Sequence, residues 1–133
     1  MAIFRGDHVH LKASDVAATS QWYCDVLGGE FTFEGQFRGS AVRFVELPGL
    51  RIYVYGELEN ELSLPASIQP RFGLDHFGLL VDDMDEAIAE LRAKGVPILE
   101  EPWTVRPGLR IAYIEAPDQV RIELTERAPI AGS

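Results

Sequence analysis

The segment DHVHL at residues 7–11 recurs as DHFGL at residues 75–79, an offset of 68 residues (75 minus 7). At the same offset Asp15 corresponds to Asp83, and each of these acids stands just before an amphipathic helical pattern. A self-similarity of this kind indicates a structural unit that is present twice. The chain is therefore predicted to consist of two halves with the same order of elements.

The sequence pattern of each half predicts one strand, one helix and three further strands. In the first half, apolar and polar residues alternate over residues 5–13, which predicts a half-buried strand. Asp15 and Gly28 are the expected boundary residues of the helix that follows. The last strands of the two halves also correspond, because LRIY at residues 50–53 matches VRIE at residues 120–123.

These patterns predict an α+β fold in which two βαβββ repeats form a paired, partly closed mixed sheet with the helices on its outer face. We expect a single domain at residues 1–133, with repeat one at about 5–56, a linker at about 57–71 and repeat two at about 72–126. Proline and charged residues at 101–107 predict a loop in the second repeat, after a strand at 96–99. The last residues, 128–133, are expected to form a loose tail.

Composition narrows the class of partner. The 133 residues suit one domain, and the formal net charge of −9 argues against a nucleic-acid binder, which needs a basic surface. No apolar stretch is long enough to cross a bilayer, and the first residues do not form a signal peptide. The expected partner is a small molecule, with no nucleic acid and no membrane, in a cytoplasmic protein.

Strand periodicity places three potential metal ligands on the polar faces of their strands: His8, His76 and Glu123. Two neutral imidazoles and one carboxylate can hold a divalent cation and leave positions open for substrate oxygens. The alternative from pattern alone is that the three residues are ordinary solvated or hydrogen-bonded side chains. The coincidence of the two histidines under the repeat supports a metal site, but the pattern alone does not decide between the two alternatives.

Four motifs resemble those of the vicinal oxygen chelate superfamily, which includes glyoxalase I, extradiol dioxygenases, fosfomycin-resistance transferases and bleomycin-resistance proteins. They are HVHLKASD at 8–15 followed by WY at 22–23 and LGG at 27–29, DHFGLLVD at 75–82, YIEAPD at 113–118, and RIEL at 121–124. The resemblance implies one divalent ion (Fe, Mn, Ni, Co or Zn) bound by His8, His76 and Glu123. It also implies that Tyr53 stands where glyoxalase I usually has a fourth ligand, a glutamate.

The resemblance favours a glyoxalase-like lyase or isomerase that acts on vicinal substrate oxygens through a metal-stabilised enolate. Candidate catalytic residues are His10, Tyr53 and Tyr113, and candidate substrate-binding residues are Arg51, Tyr55, Arg121 and Trp103. The tyrosines and Trp103 could instead serve packing, and the arginines could lie at a solvated edge. Members of the superfamily usually form homodimers, and the histidines could meet within one chain or across two.

Three other functions remain open on sequence alone. The first alternative is an extradiol-type dioxygenase that uses Fe(II). The others are a thiol transferase of the fosfomycin-resistance type and a non-catalytic protein that binds a drug or metabolite. Binding proteins of that last kind typically lack the complete set of metal ligands, whereas this chain retains all three candidate ligands.

Overall fold

Each half of the chain forms a four-stranded mixed sheet with one helix packed on it, in a computed structural model that describes residues 1–128. The chain divides into two compact units, the first at Met1–Pro65 and the second beginning at Ala66. The α+β class and the two βαβββ repeats are therefore confirmed. The expected tail at 128–133 lies, except for Ala128, outside the described residues.

The elements of the first unit are β1 (His8–Lys12), α1 (Val16–Leu27), β2 (Glu30–Phe37), β3 (Ser40–Leu47) and β4 (Leu50–Tyr55). Its sheet has the order β1-β4-β3-β2, with β1 parallel to β4 and the other pairs antiparallel. The helix α1 packs on β3 and β4.

The second unit repeats this plan with the elements β5 (Phe77–Leu80), α2 (Met84–Ala93), β6 (Ile98–Arg106), β7 (Leu109–Ala116) and β8 (Val120–Arg127). Its sheet has the order β5-β8-β7-β6, and β5 is parallel to β8. A short 3₁₀ turn at Pro117–Gln119 joins the last two strands. None of the described helices is long and apolar enough to cross a membrane.

The helices begin where the sequence predicted. The Asp15 carboxylate accepts a hydrogen bond from the Ala18 backbone N–H at 3.0 Å, and Asp83 does the same for Glu86 at 3.0 Å. Gly28 ends α1 at φ 74°, a conformation that glycine adopts without strain. Asp15 and Asp83 therefore fix the first turns of the two helices at equivalent points.

One loop prediction was wrong. Residues 101–107 were expected to form a loop, but β6 continues through them to Arg106, and Trp103 pairs with Ile111 of β7. Register shifts on both sides of Trp103 explain how an edge strand can include Pro102, which has no N–H to donate. Because of these shifts, the side chains of β6 do not alternate regularly between the two faces, so the sequence pattern did not indicate a strand.

The apolar core of each unit lies between its sheet and its helix. The central strands place their alternate side chains there, and four of these are 0–1% exposed: Ile52, Val54, Ile122 and Leu124. The opposite face of each sheet carries the histidines, tyrosines and charged residues, as the alternation predicted.

We expect Ile52→Ala to lower the free energy of unfolding by about 2–5 kcal/mol, because it removes buried methyl groups and leaves a cavity. The matched control is Leu62→Ala, since Leu62 is 95% exposed and should change stability by less than about 0.5 kcal/mol. Urea denaturation followed by circular dichroism measures both. Equal losses for the two variants would contradict the placement of the core.

Candidate functional site

His76 and Glu123 meet on the second sheet. His76 immediately precedes β5, and Glu123 lies on the parallel neighbour β8, opposite Gly78. The Nε2 atom of His76 lies 2.7 Å from the Oε2 atom of Glu123, and both side chains are about one-quarter exposed. Because Gly78 has no side chain, nothing from β5 stands beside Glu123 at that point of the ladder.

Asp75 fixes the orientation of the His76 ring. Its Oδ2 atom lies 2.7 Å from His76 Nδ1, and this hydrogen bond, aided by Arg121, holds the pKa of Asp75 below its ordinary value. An Nδ1–H that donates to Asp75 leaves the lone pair of Nε2 directed at Glu123. Two acceptors at 2.7 Å are favourable only with a proton or a cation between them, so this donor set fits a metal ion.

Two hydroxyl groups hold the Glu123 carboxylate. Tyr113 donates to Oε2 at 3.3 Å, and Thr125 donates to Oε1 at 3.1 Å. Burial, and then the negative charge of Glu123, raise the pKa of Tyr113 above its ordinary value. Tyr113 therefore remains a neutral donor at physiological pH, which suits it to positioning Glu123 better than to accepting a proton.

Arg121 lies among carboxylates at the edge of this cluster. Its Nε atom is 4.0 Å from Asp75, its Nη2 atom is 3.8 Å from Glu100, and its guanidinium group lies over the Tyr113 ring at 4.9 Å. Sequence analysis did not single out Glu100, Asp75 or Thr125 as site residues. The repeated Asp-His pair could have identified Asp75 as a site residue from the sequence. Glu100 is identified only in the structure, by its strand pairing with Tyr113.

The first sheet contains an equivalent arrangement around His8. Its Nδ1 atom lies 2.7 Å from Asp7 Oδ2, and this contact lowers the pKa of Asp7 below its ordinary value. Arg51 lies 3.6 Å from Asp7 and 3.0 Å from Glu46, as Arg121 lies near two carboxylates in the second unit. The arrangement of arginine, aspartate and histidine therefore occurs once in each unit.

Strand register shows that Tyr53 is the counterpart of Glu123. His10 pairs with Tyr53 in the first unit, and Gly78 pairs with Glu123 in the second. The Tyr53 ring stacks on the His8 ring with centroids 4.0 Å apart and an angle of 22°. The carboxylate of one repeat is thus replaced in the other by an aromatic ring that restrains the neighbouring histidine.

His10 lies beside Tyr55 on the first sheet. Its ring lies 4.2 Å from the ring of Tyr55, on the same face as His8. Partial burial, followed by the positive charges of His8 and Lys12, lowers the pKa of His10 below its ordinary value. More of its imidazole is therefore neutral at pH 7, which is the form that takes up a proton.

Trp103 shares a face with Glu123 on the second sheet. It pairs with Ile111, which in turn pairs with Thr125, and paired residues point to the same side of a sheet. Trp103 is 47% exposed on the edge strand β6. The structure thus places Trp103 within a strand rather than a loop, on the face of the sheet that carries Glu123.

The candidate ligands are distributed over both units, with His8 in the first and His76 and Glu123 in the second. Among residues 1–128, no group of three or more His, Cys, Asp or Glu side chains is arranged to hold a metal ion. The second unit by itself contains two of the candidate ligands, and their side chains are hydrogen-bonded to Asp75, Tyr113 and Thr125.

A family model described as "Glyoxalase/Bleomycin resistance protein/Dioxygenase superfamily" matches residues 5–124. The chain belongs to this superfamily. A similar curated relative is "Probable lactoylglutathione lyase, chloroplastic" of Arabidopsis thaliana, with 43% identity in an alignment that covers 92% of this chain and 35% of that protein. "Probable lactoylglutathione lyase" of Synechocystis sp. is 29% identical and is covered over 92% of its length by 90% of this chain.

The chain thus spans about a third of the length of the Arabidopsis relative and nearly all of the Synechocystis one. Among solved structures, a glyoxylase/bleomycin resistance protein/dioxygenase domain from Frankia sp. matches with a TM-score of 0.79 at 20% identity. That match covers 96% of this chain and all of the other. At this identity the match shows the superfamily fold.

The stacked pair of His8 and Tyr53 predicts an NMR signature. In the metal-free protein, Tyr53→Leu should move the His8 ring-proton resonances by removing the ring current of the stacked tyrosine. The matched control is Tyr55→Leu, which should instead move the resonances of His10, while His76 stays in place in both variants. Identical shifts of His8 in the two variants would contradict the stacking geometry.

Proposed function

We propose that the chain is a divalent-metal-dependent lyase or isomerase, and that it acts on a small substrate with two neighbouring oxygen atoms. The proposed ligands of its one metal ion are His8, His76 and Glu123. The observation that carries the proposal is the approach of His76 Nε2 to Glu123 Oε2 at 2.7 Å while Asp75 holds the other ring nitrogen. A histidine that binds a metal ion usually donates its other ring N–H to a carboxylate, which is the position that Asp75 occupies beside His76.

A divalent cation at such a site stabilises negative charge that develops on substrate oxygens when a neighbouring carbon loses a proton. The residues of the chain supply the remaining functions. Asp7 and Asp75 orient the two histidines, and Tyr113 and Thr125 hold Glu123. His10 is proposed to accept and return the proton, because its neutral form is favoured and it lies two residues from His8 on the same face.

Arg51 and Arg121 are proposed primarily as anchors for Asp7 and Asp75. Each arginine lies within 4.0 Å of one of these aspartates and of a second carboxylate, Glu46 or Glu100. The positive charge of each arginine is therefore already opposed by two negative charges. An additional contact with an anionic substrate group would depend on displacing one of these carboxylates.

The relatives support lyase chemistry. Both the Arabidopsis and the Synechocystis proteins are named probable lactoylglutathione lyases, and the Synechocystis protein has nearly the same length as the matched region. The replacement of a ligand carboxylate by Tyr53 argues for a related reaction rather than the identical one.

We also propose a homodimer, which analytical ultracentrifugation of the purified chain tests directly.

Metal content is the first test of the proposal. Elemental analysis should find about one Fe, Mn, Ni, Co or Zn per chain, and His76→Ala should lose it. Asp75→Ala should weaken metal binding about 10- to 100-fold, because the ring of His76 is no longer oriented. Asp82→Ala is the matched control, since Asp82 is exposed and lies in the same motif.

A wild-type protein that binds no divalent ion, even after anaerobic reconstitution, would overturn the metal-dependent proposal. It would leave a protein that binds a drug or metabolite on this fold. Equal metal affinities of the Asp75 and Asp82 variants would contradict the role given to Asp75.

Activity is tested with the metal-loaded protein, by following the formation of lactoylglutathione from methylglyoxal and glutathione. For any substrate that is turned over, His10→Ala should lower kcat by about 10²- to 10⁴-fold while metal content stays unchanged. Lys12→Ala, on the same strand and face, should lower kcat much less, because it removes no proton acceptor and only one of the causes that lower the pKa of His10. An unchanged kcat in the His10 variant would exclude His10 as the base.

An extradiol-type dioxygenase is the second candidate, and the aromatic residues around His8 favour it. Iron as the bound metal, together with oxygen uptake in the presence of a catechol, would establish it. A thiol transferase would instead consume a thiol and an epoxide without oxygen uptake. These three activities leave different products and are distinguished in one set of assays.

A further inference from the structure

The face of the first sheet that lies opposite α1 is lined by aromatic rings. One ring from each strand forms a row: Phe33, Phe44, Tyr53 and His8. We call these four residues the ring row. Successive centroids are 4.8, 4.0 and 4.0 Å apart, and the last three rings are stacked at 22°. Stacked side chains that stand on a sheet direct their edges away from it.

The second sheet differs at the equivalent positions. In the first unit, Phe33 pairs with Phe44, which pairs with Tyr53. In the second unit the same ladder positions are occupied by Glu100, Tyr113 and Glu123. One repeat therefore presents carboxylates and a hydroxyl group where the other presents an unbroken series of rings.

Phe33 is the end of the ring row that is most accessible to a ligand. It lies on the edge strand β2 and is 47% exposed. Its ring leans over Gly35, where a Cβ atom would approach Phe33 Cζ to 2.8 Å. Gly35 thus provides the space that this ring occupies, which is a local reason for a glycine within a strand.

We propose that the ring row binds a planar aromatic part of the substrate, and this inference rests on the proposed function. Aromatic ring edges carry partial positive charge and attract the negative face of another ring. One end of the row is His8, a proposed metal ligand that stacks on Tyr53, so an aromatic group held at that end lies beside the place where the substrate oxygens bind. An aliphatic group has no such face and gains only burial of its surface.

The test compares mandelate with lactate. Both are 2-hydroxy acids with the same neighbouring oxygens, and they differ in a phenyl group against a methyl group. Calorimetric titration of the metal-loaded protein should show mandelate binding at least about tenfold more tightly. The same preference should persist in metal-free protein, with lower affinity for both acids, because it arises from the phenyl group.

Tyr53→Leu is the deciding variant, because Tyr53 is the member of the ring row that stacks directly on His8. Phe31→Leu is its control: Phe31 is an aromatic residue of the same sheet, but it pairs with the buried Val45, so its side chain lies on the opposite face from the ring row. Tyr53→Leu should reduce the preference for mandelate about fivefold, whereas Phe31→Leu should leave it unchanged.

The outcomes separate this inference from the proposed function. Equal binding of mandelate and lactate by metal-loaded wild-type protein would overturn the inference and leave the metal site intact. Absence of metal with a preserved, Tyr53-dependent preference would overturn the proposed function and support the ring row as a binding surface. A change of oligomeric state in Tyr53→Leu, without a change in preference, would assign the row to a contact between copies and overturn the inference.

Discussion

Parallel pairing between the first and last strands of each unit is the constraint on which the candidate site depends. The antiparallel neighbours β2, β3 and β4 follow one another along the chain, whereas β1 joins β4 and β5 joins β8 across more than 40 residues. This long-range pairing brings the Asp-His dipeptide next to the strand that carries Arg51 or Arg121. Each helix connects the first strand of its unit to the strand at the opposite edge of the same sheet. The helices α1 and α2 also supply the apolar surface that stabilises the sheets.

Much of this arrangement could be predicted from sequence because it repeats. The Asp-His pairs, the helix-capping acids and the final strands recur at nearly constant offsets, and alternation assigns His8 and Glu123 to the polar faces. The approach of His76 to Glu123 follows from the same register. Alternation also identified the buried positions, including Ile52 and Ile122.

The features that escaped prediction are those without periodicity. β6 contains Pro102 and several register shifts, so its sequence resembles a loop. Glu100 reaches Arg121 only because this irregular strand lies beside β7. The displacement of Phe31 from Phe33 likewise depends on a bulge, and one irregular residue is enough to reverse the face to which a side chain points.

The bulges and short strands also determine how the sheets end. The edges of the two sheets are β1 and β2 in the first unit and β5 and β6 in the second. β1 and β5 have five and four residues, whereas β2 and β6 are longer and are interrupted by register shifts. A strand from an unfolded chain would find few consecutive N–H and C=O groups with which to pair on any of them. The same irregularity that obscures these strands in the sequence therefore protects the folded protein against growth of its sheets into aggregates.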